Sequence, residues 1–104
     1  MSHINTLKKI VTEIIQSLEG PNYINEIYLF GSFMKKSNVN DIDILIIYKI
    51  ANYYTDLHHF LNIKKNIGEE IQEVFNLPIH FTLLSEEELT DINCYSLDSY
   101  IKIY

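Results

Sequence analysis

The apolar positions of the chain divide it into two helical stretches and three extended runs. Helical spacing, with an apolar residue every three or four positions, holds from Ile4 to Leu18 and again from Leu57 to Phe75. The extended runs are rich in β-branched and aromatic residues, and they are Ile24 to Phe30, Asp41 to Tyr48 and Ile79 to Leu84. The middle run is almost wholly apolar, which predicts a central strand buried on both faces.

Helix-breaking residues mark the end of each helical stretch. Gly20 and Pro21 follow the first, because glycine caps a helix and proline cannot continue one. Pro78 follows the second, since the residue before a proline is disfavoured in helical conformation. The order helix, strand, strand, helix, strand, helix predicts an α+β fold of two layers, in which a small mixed β-sheet is flanked by helices. We expect residues 1–104 to form one domain.

The last part of the chain begins with a helix signal and then becomes ambiguous. Ser85 and Glu88 match a capping box, in which a serine caps a helix and a glutamate three residues later bonds back to it. The acidic run 86–88 also suits the first turn of a helix, so capping is its favoured role over replacement of a catalytic carboxylate. From Leu89 to Tyr104 the pattern fits either a continuing helix or a short closing strand at 100–103.

Composition and charge narrow the class of protein. With 47% hydrophobic and 21% charged residues, the chain is typical of folded proteins. No apolar run approaches the roughly 18 residues of a membrane span, and the start does not match a signal peptide. The single cysteine, Cys94, favours a reducing, cytoplasmic location. The net charge of -6, with eight scattered basic residues, weighs against nucleic acid as a partner.

Asp41 and Asp43 are the strongest candidates for chemistry. Residues two apart on a strand point to the same face, so both carboxylates project side by side from the start of the central run. Two such carboxylates resist ionising together unless a cation lies between them, and Mg²⁺ binds through one or two carboxylates plus phosphate oxygens. The alternative is that they cap a turn, but Asp43 lies inside an apolar run, where an unpartnered charge is costly.

Gly31 and Ser32 follow the first extended run and reach the same edge of the predicted sheet. A glycine turn allows close backbone approach, and backbone amides that lead into a helix are suited to binding phosphate. Lys35 lies three residues further on, either within reach of a triphosphate or simply solvating the loop.

The order of these features resembles the signature of the DNA polymerase β nucleotidyltransferase superfamily. In this order an apolar strand is followed by Gly31-Ser32, by an eight-residue spacer, and by Asp41-x-Asp43 on a second apolar strand. The whole chain resembles the minimal nucleotidyltransferase domains of that superfamily. The resemblance implies that Gly31 and Ser32 bind a nucleoside triphosphate and that Asp41 and Asp43 hold Mg²⁺ or Mn²⁺, while Lys35 is a further candidate for nucleotide binding. The spacer is somewhat shorter than in small members of the family, which is expected to trim the loop at 36–40.

His80 occupies the position where the resemblance leads one to expect a third catalytic carboxylate. Imidazole is a poor ligand for Mg²⁺, although it binds Zn²⁺ well and can act as a general base near neutral pH. A histidine satisfied by ordinary hydrogen bonds at the end of a strand is the alternative. His58 and His59 lie in the second helical stretch, where we interpret them as surface or boundary residues.

Two functions remain open at this point. The first is a nucleotidyltransferase that transfers a nucleoside monophosphate to a hydroxyl of a protein or small molecule, with a second copy or another protein supplying the acceptor site. The second is a catalytically reduced interaction module, such as the antitoxin partner of a HEPN-type toxin, because small relatives are often encoded beside such toxins. Loss of the third carboxylate would suit a protein that acts by binding alone.

Overall fold

A computed structural model describes residues 3–31, 41–91 and 100–104. The described elements alternate between helices and strands in an order close to the predicted one. They are α1 (His3–Gln16), β1 (Ile24–Phe30), β2 (Ile42–Tyr48), α2 (Tyr53–Phe75), β3 (Ile79–Ser85), α3 (Glu86–Asp91) and β4 (Ile101–Lys102).

The four strands form one mixed sheet with the order β3-β2-β1-β4. β1 is antiparallel to both of its neighbours, β2 and β4, whereas β2 and β3 are parallel. A parallel pair needs a crossover connection, and α2 provides it between β2 and β3. The predicted α+β fold with a mixed sheet and flanking helices is therefore confirmed.

The main core lies between one face of the sheet and the helices α1 and α2. Helical spacing turns Leu7, Val11 and Ile15 of α1 toward the sheet, and all three are buried. α2 buries a matching stripe, β2 contributes every second residue, and β1 and the residue after β4 contribute the rest. The buried members from α2 and the strands are Phe60, Ile63, Ile67, Ile71, Ile24, Ile27, Leu29, Ile42, Ile44, Ile46, Tyr48 and Ile103.

β2 is buried on both faces, as its apolar sequence predicts. Leu45 and Ile47 alternate with the residues of the main core and therefore point to the opposite face of the sheet, yet their exposure is only 0% and 1%. The same alternation puts Asp43 on this second face, two residues before Leu45. The second face is where the candidate chemistry lies.

Local sequence signals explain the ends of the helices. The side chain of Asn52 caps α2 by accepting a hydrogen bond from the Tyr54 N–H, and Asn76 ends it in a left-handed conformation. The capping box is present, because the Glu88 N–H donates to Ser85 Oγ at 3.0 Å and the Ser85 N–H donates to Glu88 Oε1 at 2.9 Å. Within the described ranges, no helix has both the length and the apolar character needed to cross a membrane.

The ambiguous C-terminal segment contains both of the structures that its sequence allowed. The helix that starts after Ser85 spans Glu86–Asp91 within the described residues, and a two-residue strand forms at Ile101–Lys102. Ile103 is buried in the main core, and Tyr104 exchanges backbone hydrogen bonds with Ile27. The closing strand thus joins the sheet beside β1.

Candidate active site

One row of side chains crosses the second face of the sheet at the start of β2. In the strand register Asp43 pairs with Phe30 of β1 on one side and with His80 of β3 on the other. Paired residues of adjacent strands point to the same face of a sheet. Tyr100, just before β4, extends the row because its ring stacks on Phe30 with 4.9 Å between centroids. The row is therefore His80, Asp43, Phe30 and Tyr100, with one residue from each strand or its flank.

Gly31 approaches the Asp43 carboxylate so closely that no side chain fits between them. A Cβ added at Gly31 would overlap Asp43 Oδ2 and would lie 3.1 Å from Asp43 Cγ. The backbone of Gly31 also has a φ of +79°, a conformation that residues with a Cβ rarely adopt. Two independent constraints therefore require glycine at the point where β1 ends beside the carboxylate.

The environment of Asp43 disfavours its ionised form. Desolvation by burial is the largest cause that raises the pKa of the Asp43 carboxyl above its ordinary value, and the charge of Asp41 raises it further. His80 acts in the opposite direction and lowers it. A site that holds two carboxylates against their mutual repulsion is suited to a cation, which would favour ionisation of both.

His80 lies beside Asp41 at the exposed end of this row. The distance from His80 Nε2 to Asp41 Oδ2 is 3.4 Å, and the imidazole is 62% exposed. A weak, exposed pairing of this kind positions the ring next to the acidic pair but adds little stability. The structure thus places His80 beside both aspartates, because it pairs with Asp43 in the strand register and contacts the Asp41 carboxylate.

The described donor set fits one divalent cation better than two. Asp41 and Asp43 supply oxygen ligands, which Mg²⁺ prefers, and Mg²⁺ commonly uses one or two carboxylates together with phosphate oxygens and water. No cluster of three or more metal-ligating side chains occurs in residues 3–31, 41–91 and 100–104. Two-metal sites rely on carboxylates shared between ions about 4 Å apart. As ligands, the described residues alone would therefore supply only half of such a donor set.

The remaining residues that the sequence analysis considered divide into predicted site residues outside the described ranges and surface residues within them. Ser32 and Lys35, together with the loop at 36–40, lie outside the described residues. His58 and His59 are exposed on α2, as predicted, and neither belongs to the row at Asp43.

Phe30 and Tyr100 were not predicted as site residues. Tyr28 and Lys102 form the next row on the same face, where Glu26 accepts a hydrogen bond from the Tyr28 hydroxyl at 2.9 Å and lies 3.0 Å from Lys102 Nζ. Period-two alternation in β1 places Phe30 on the face of Asp43. The partnership with Tyr100 depends on a strand of two residues, and no sequence pattern marks it.

Comparison with known proteins identifies the family. No curated protein matches the chain. Among solved structures, a protein of Sulfolobus solfataricus proposed to be a nucleotidyltransferase is similar at 21% sequence identity, with a TM-score of 0.48 over 95% of this chain and 77% of that one. The sequence profile of the family described as "Polymerase beta, Nucleotidyltransferase" matches residues 12–102. That match spans most of the chain, including Gly31, Asp41, Asp43 and His80, and the chain belongs to this family.

Proposed function

We propose that the chain binds a nucleoside triphosphate together with Mg²⁺ and transfers its nucleoside monophosphate to a hydroxyl group. The observation that carries this proposal is the contact of the Asp43 carboxylate with the Gly31 turn. It puts the Asp43 carboxylate directly against a glycine turn with a left-handed backbone, which supports a cation site beside a phosphate site. A metal-bound triphosphate needs these two features side by side.

Each residue has a distinct role in this proposal. Asp41 and Asp43 would hold Mg²⁺ or Mn²⁺, which when bound would neutralise charge on the phosphates and on the departing pyrophosphate. Gly31, followed by Ser32 and Lys35, would bind the outer phosphates. Because the chain has a net charge of -6, the cation supplies positive charge that the protein surface does not.

His80 is the candidate general base for the transfer. The acceptor oxygen would form a bond to the α-phosphorus, the bond from that phosphorus to the bridging oxygen would break, and pyrophosphate would leave. The acceptor proton would pass to the ring nitrogen of His80 that faces away from Asp41. A hydroxyl acceptor would approach on the exposed β3 side of the row, since the imidazole is mostly exposed there. The acceptor would belong to a small molecule or to a partner protein.

Calorimetry tests the nucleotide-binding step. ATP and GTP should each be titrated into the wild type with Mg²⁺ present and with Mg²⁺ removed by chelation. We expect Mg²⁺-dependent binding of at least one nucleotide, and at least a tenfold loss of affinity in the Asp41→Asn/Asp43→Asn double variant, since charge-assisted contacts are worth about 1.5–3 kcal/mol. His58→Asn/His59→Asn is the matched control, because both of these side chains are exposed on α2 away from the row. Binding that is indifferent to the double aspartate variant would refute the proposal.

A second function remains, in which the same site binds a nucleotide or a protein without turnover. It is favoured by one observation, that the described residues provide His80 rather than a third carboxylate beside Asp41 and Asp43. In this role the chain would act as the antitoxin partner of a HEPN-type toxin. If a co-expressed toxin is inhibited equally by the wild type and by the double aspartate variant, binding alone explains its action. Release of pyrophosphate by the wild type only would instead support transfer.

A further inference from the structure

β3 lies at the edge of the sheet, and its outer side has no strand partner among the residues that the structure describes. The strand is seven residues long and pairs continuously with β2, without a bulge. A regular edge of this length presents a row of backbone donors and acceptors, which is a ready template for another strand. The described edge also lacks the usual protections, since neither a proline nor a lysine interrupts Ile79–Ser85.

The direction of each backbone group in β3 follows from one hydrogen bond. The Ile42 N–H donates to the Pro78 carbonyl at 3.0 Å, so the backbone polar groups at position 78 point toward β2. Alternation along a strand then points those of His80 and Thr82 inward as well. The N–H and C=O groups of Ile79, Phe81 and Leu83 therefore point away from the sheet.

The helix above this edge carries a matching exposed surface. α2 passes over Phe81, because a Cβ added at Gly68 would lie 3.0 Å from the Phe81 ring and Lys64 Nζ lies 5.5 Å from its centroid. A groove of about 470 Å³ runs between the helix and the strand, and its lining includes Leu61, Lys65 and Glu69. Further along the same helix, an adjoining groove shares Leu61 and includes the fully exposed Tyr54. Strand edge and helix thus form one continuous, partly apolar surface.

Charges on this surface are complementary to their own two-fold image. Lys65 and Glu69 lie one helical turn apart on the groove side of α2, with exposures of 72% and 63%. The helix crosses Phe81 between Lys64 and Gly68. A two-fold axis normal to the sheet, midway between Phe81 and Phe81 of the partner subunit, therefore passes beside this same turn. α2 and its symmetry mate would then run antiparallel, with each Lys65 opposite a Glu69.

We propose that the occupant of this edge is a second copy of the chain, whose β3 pairs antiparallel with the first about a two-fold axis at Phe81. Phe81 would face Phe81 of the partner subunit, and Ile79 would face Leu83 of the partner subunit. All three outward-pointing residues of each copy would thereby form ladder hydrogen bonds. The two sheets would become one continuous sheet of eight strands.

This pairing has a consequence for the candidate site. In the same register His80 lies opposite Thr82 of the partner subunit, on the face of the sheet that carries Asp43. Each site would then be bordered by a hydroxyl from the other copy. The pairing itself depends on the sheet edge and on α2, and it holds whether or not the site binds a nucleotide.

Analytical ultracentrifugation with charge reversals tests the pairing. We expect the wild type to dimerise, and Lys65→Glu or Glu69→Lys alone to weaken dimerisation about tenfold or more, because like charges then face each other across the axis. An equimolar mixture of these two variants should recover the wild-type affinity, since each copy supplies the charge that the other lacks. Glu70→Lys is the control, because Glu70 is exposed but does not line the groove. A wild type that stays monomeric at millimolar concentration overturns the proposal.

Hydrogen exchange locates the interface independently. The amides of Phe81 and Leu83 should become protected as the protein concentration rises, whereas the amide of Thr82, which points toward β2, should be protected at all concentrations. A dimer in which the amides of Phe81 and Leu83 stay unprotected uses another surface and also overturns the proposal. The same holds if neither charge reversal changes the dimerisation affinity. Neither experiment contains a nucleotide, so its failure is distinguishable from a failure of the proposed transferase function.

Discussion

The Asp43 carboxylate packs directly against the backbone of Gly31, so closely that a single methyl group at Gly31 would overlap it. This contact joins the residue that follows β1 to the first acidic side chain of β2. It couples the two halves of the sequence motif physically, because a side chain added at Gly31 would displace the Asp43 carboxylate. The contact yields the first prediction.

Gly31→Ala should lose more stability than an ordinary glycine replacement and should also impair nucleotide binding. Gly20→Ala is a matched control, since Gly20 has a φ of +93° but nothing lies within 4 Å of an added Cβ. The control isolates the backbone cost, about 1–2 kcal/mol. We expect Gly31→Ala to cost at least about 1 kcal/mol more in chemical denaturation, because the Asp43 carboxylate must move. Equal losses in the two variants would contradict the contact.

Asp43→Asn should raise the unfolding temperature at neutral pH in the absence of metal. The pKa of the Asp43 carboxyl is raised in the folded state, so its charged form destabilises the fold, and that cost is relieved as the pH falls through the folded pKa. Asparagine removes the charge at nearly the same size. We expect a gain of roughly 1–4 °C in thermal unfolding at pH 7, which shrinks in acid.

Asp56→Asn provides a control of opposite sign for that experiment. Asp56 lies in the first turn of α2 and accepts hydrogen bonds from the Asn52 N–H at 3.1 Å and the Tyr23 hydroxyl at 3.3 Å. Neutralising it should lower the unfolding temperature. A fall in both variants would show that Asp43 is not destabilised by its surroundings.

Affinity for Mg²⁺ or Mn²⁺ should weaken as the pH falls, beginning at a higher pH than for an ordinary aspartate pair. Metal and proton compete for the same carboxylate, and the pKa of Asp43 is raised. Titration of Mn²⁺, followed by paramagnetic relaxation of water, would measure the affinity across about pH 4–8, which spans the ordinary pKa values of carboxyl and imidazole groups. Affinity that is constant across this range would argue against a metal held by these carboxylates.

His80→Asp should strengthen binding of Mg²⁺ while it weakens the metal-free fold. The new carboxylate would project beside Asp41 and Asp43, adding an oxygen ligand and further repulsion. We expect about tenfold tighter Mg²⁺ binding by calorimetry and a lower unfolding temperature without metal. His59→Asp, at an exposed position on α2, should change neither quantity appreciably. A His80→Asp variant with unaltered Mg²⁺ affinity would place His80 outside the metal site.

The periodicity of the sequence was sufficient to predict the larger elements and the central place of β2. The helical spacing that ends before Pro78 corresponds to α2. The apolar run that is too short for a helix corresponds to β2. The pairing of Asp41 with Asp43 on one face needed only the alternation of a strand. Local rules succeed here because burial and backbone geometry impose the same pattern on the sequence.

Other features depend on contacts between distant parts of the chain, and the sequence does not encode them locally. β4 has two residues, too few for any period, and its place beside β1 depends on burial of Ile103 and on bonds between Tyr104 and Ile27. α1 ends at Gln16, although its apolar stripe continues to Leu18. The apolar spacing alone therefore does not predict the last residue of this helix. The functional roles of all predicted site residues stay predictions, those of Ser32 and Lys35 among them.

The row of His80, Asp43, Phe30 and Tyr100 takes one residue from each strand or its flank, and this has a consequence for how the protein folds. No contiguous fragment shorter than residues 30–100 contains the whole row. The β1–β2 hairpin can form early from local contacts, whereas the parallel pairing of β3 must await α2, and β4 closes across the longest loop. We therefore predict that this row is completed late in folding and that a nascent or partly unfolded chain lacks it.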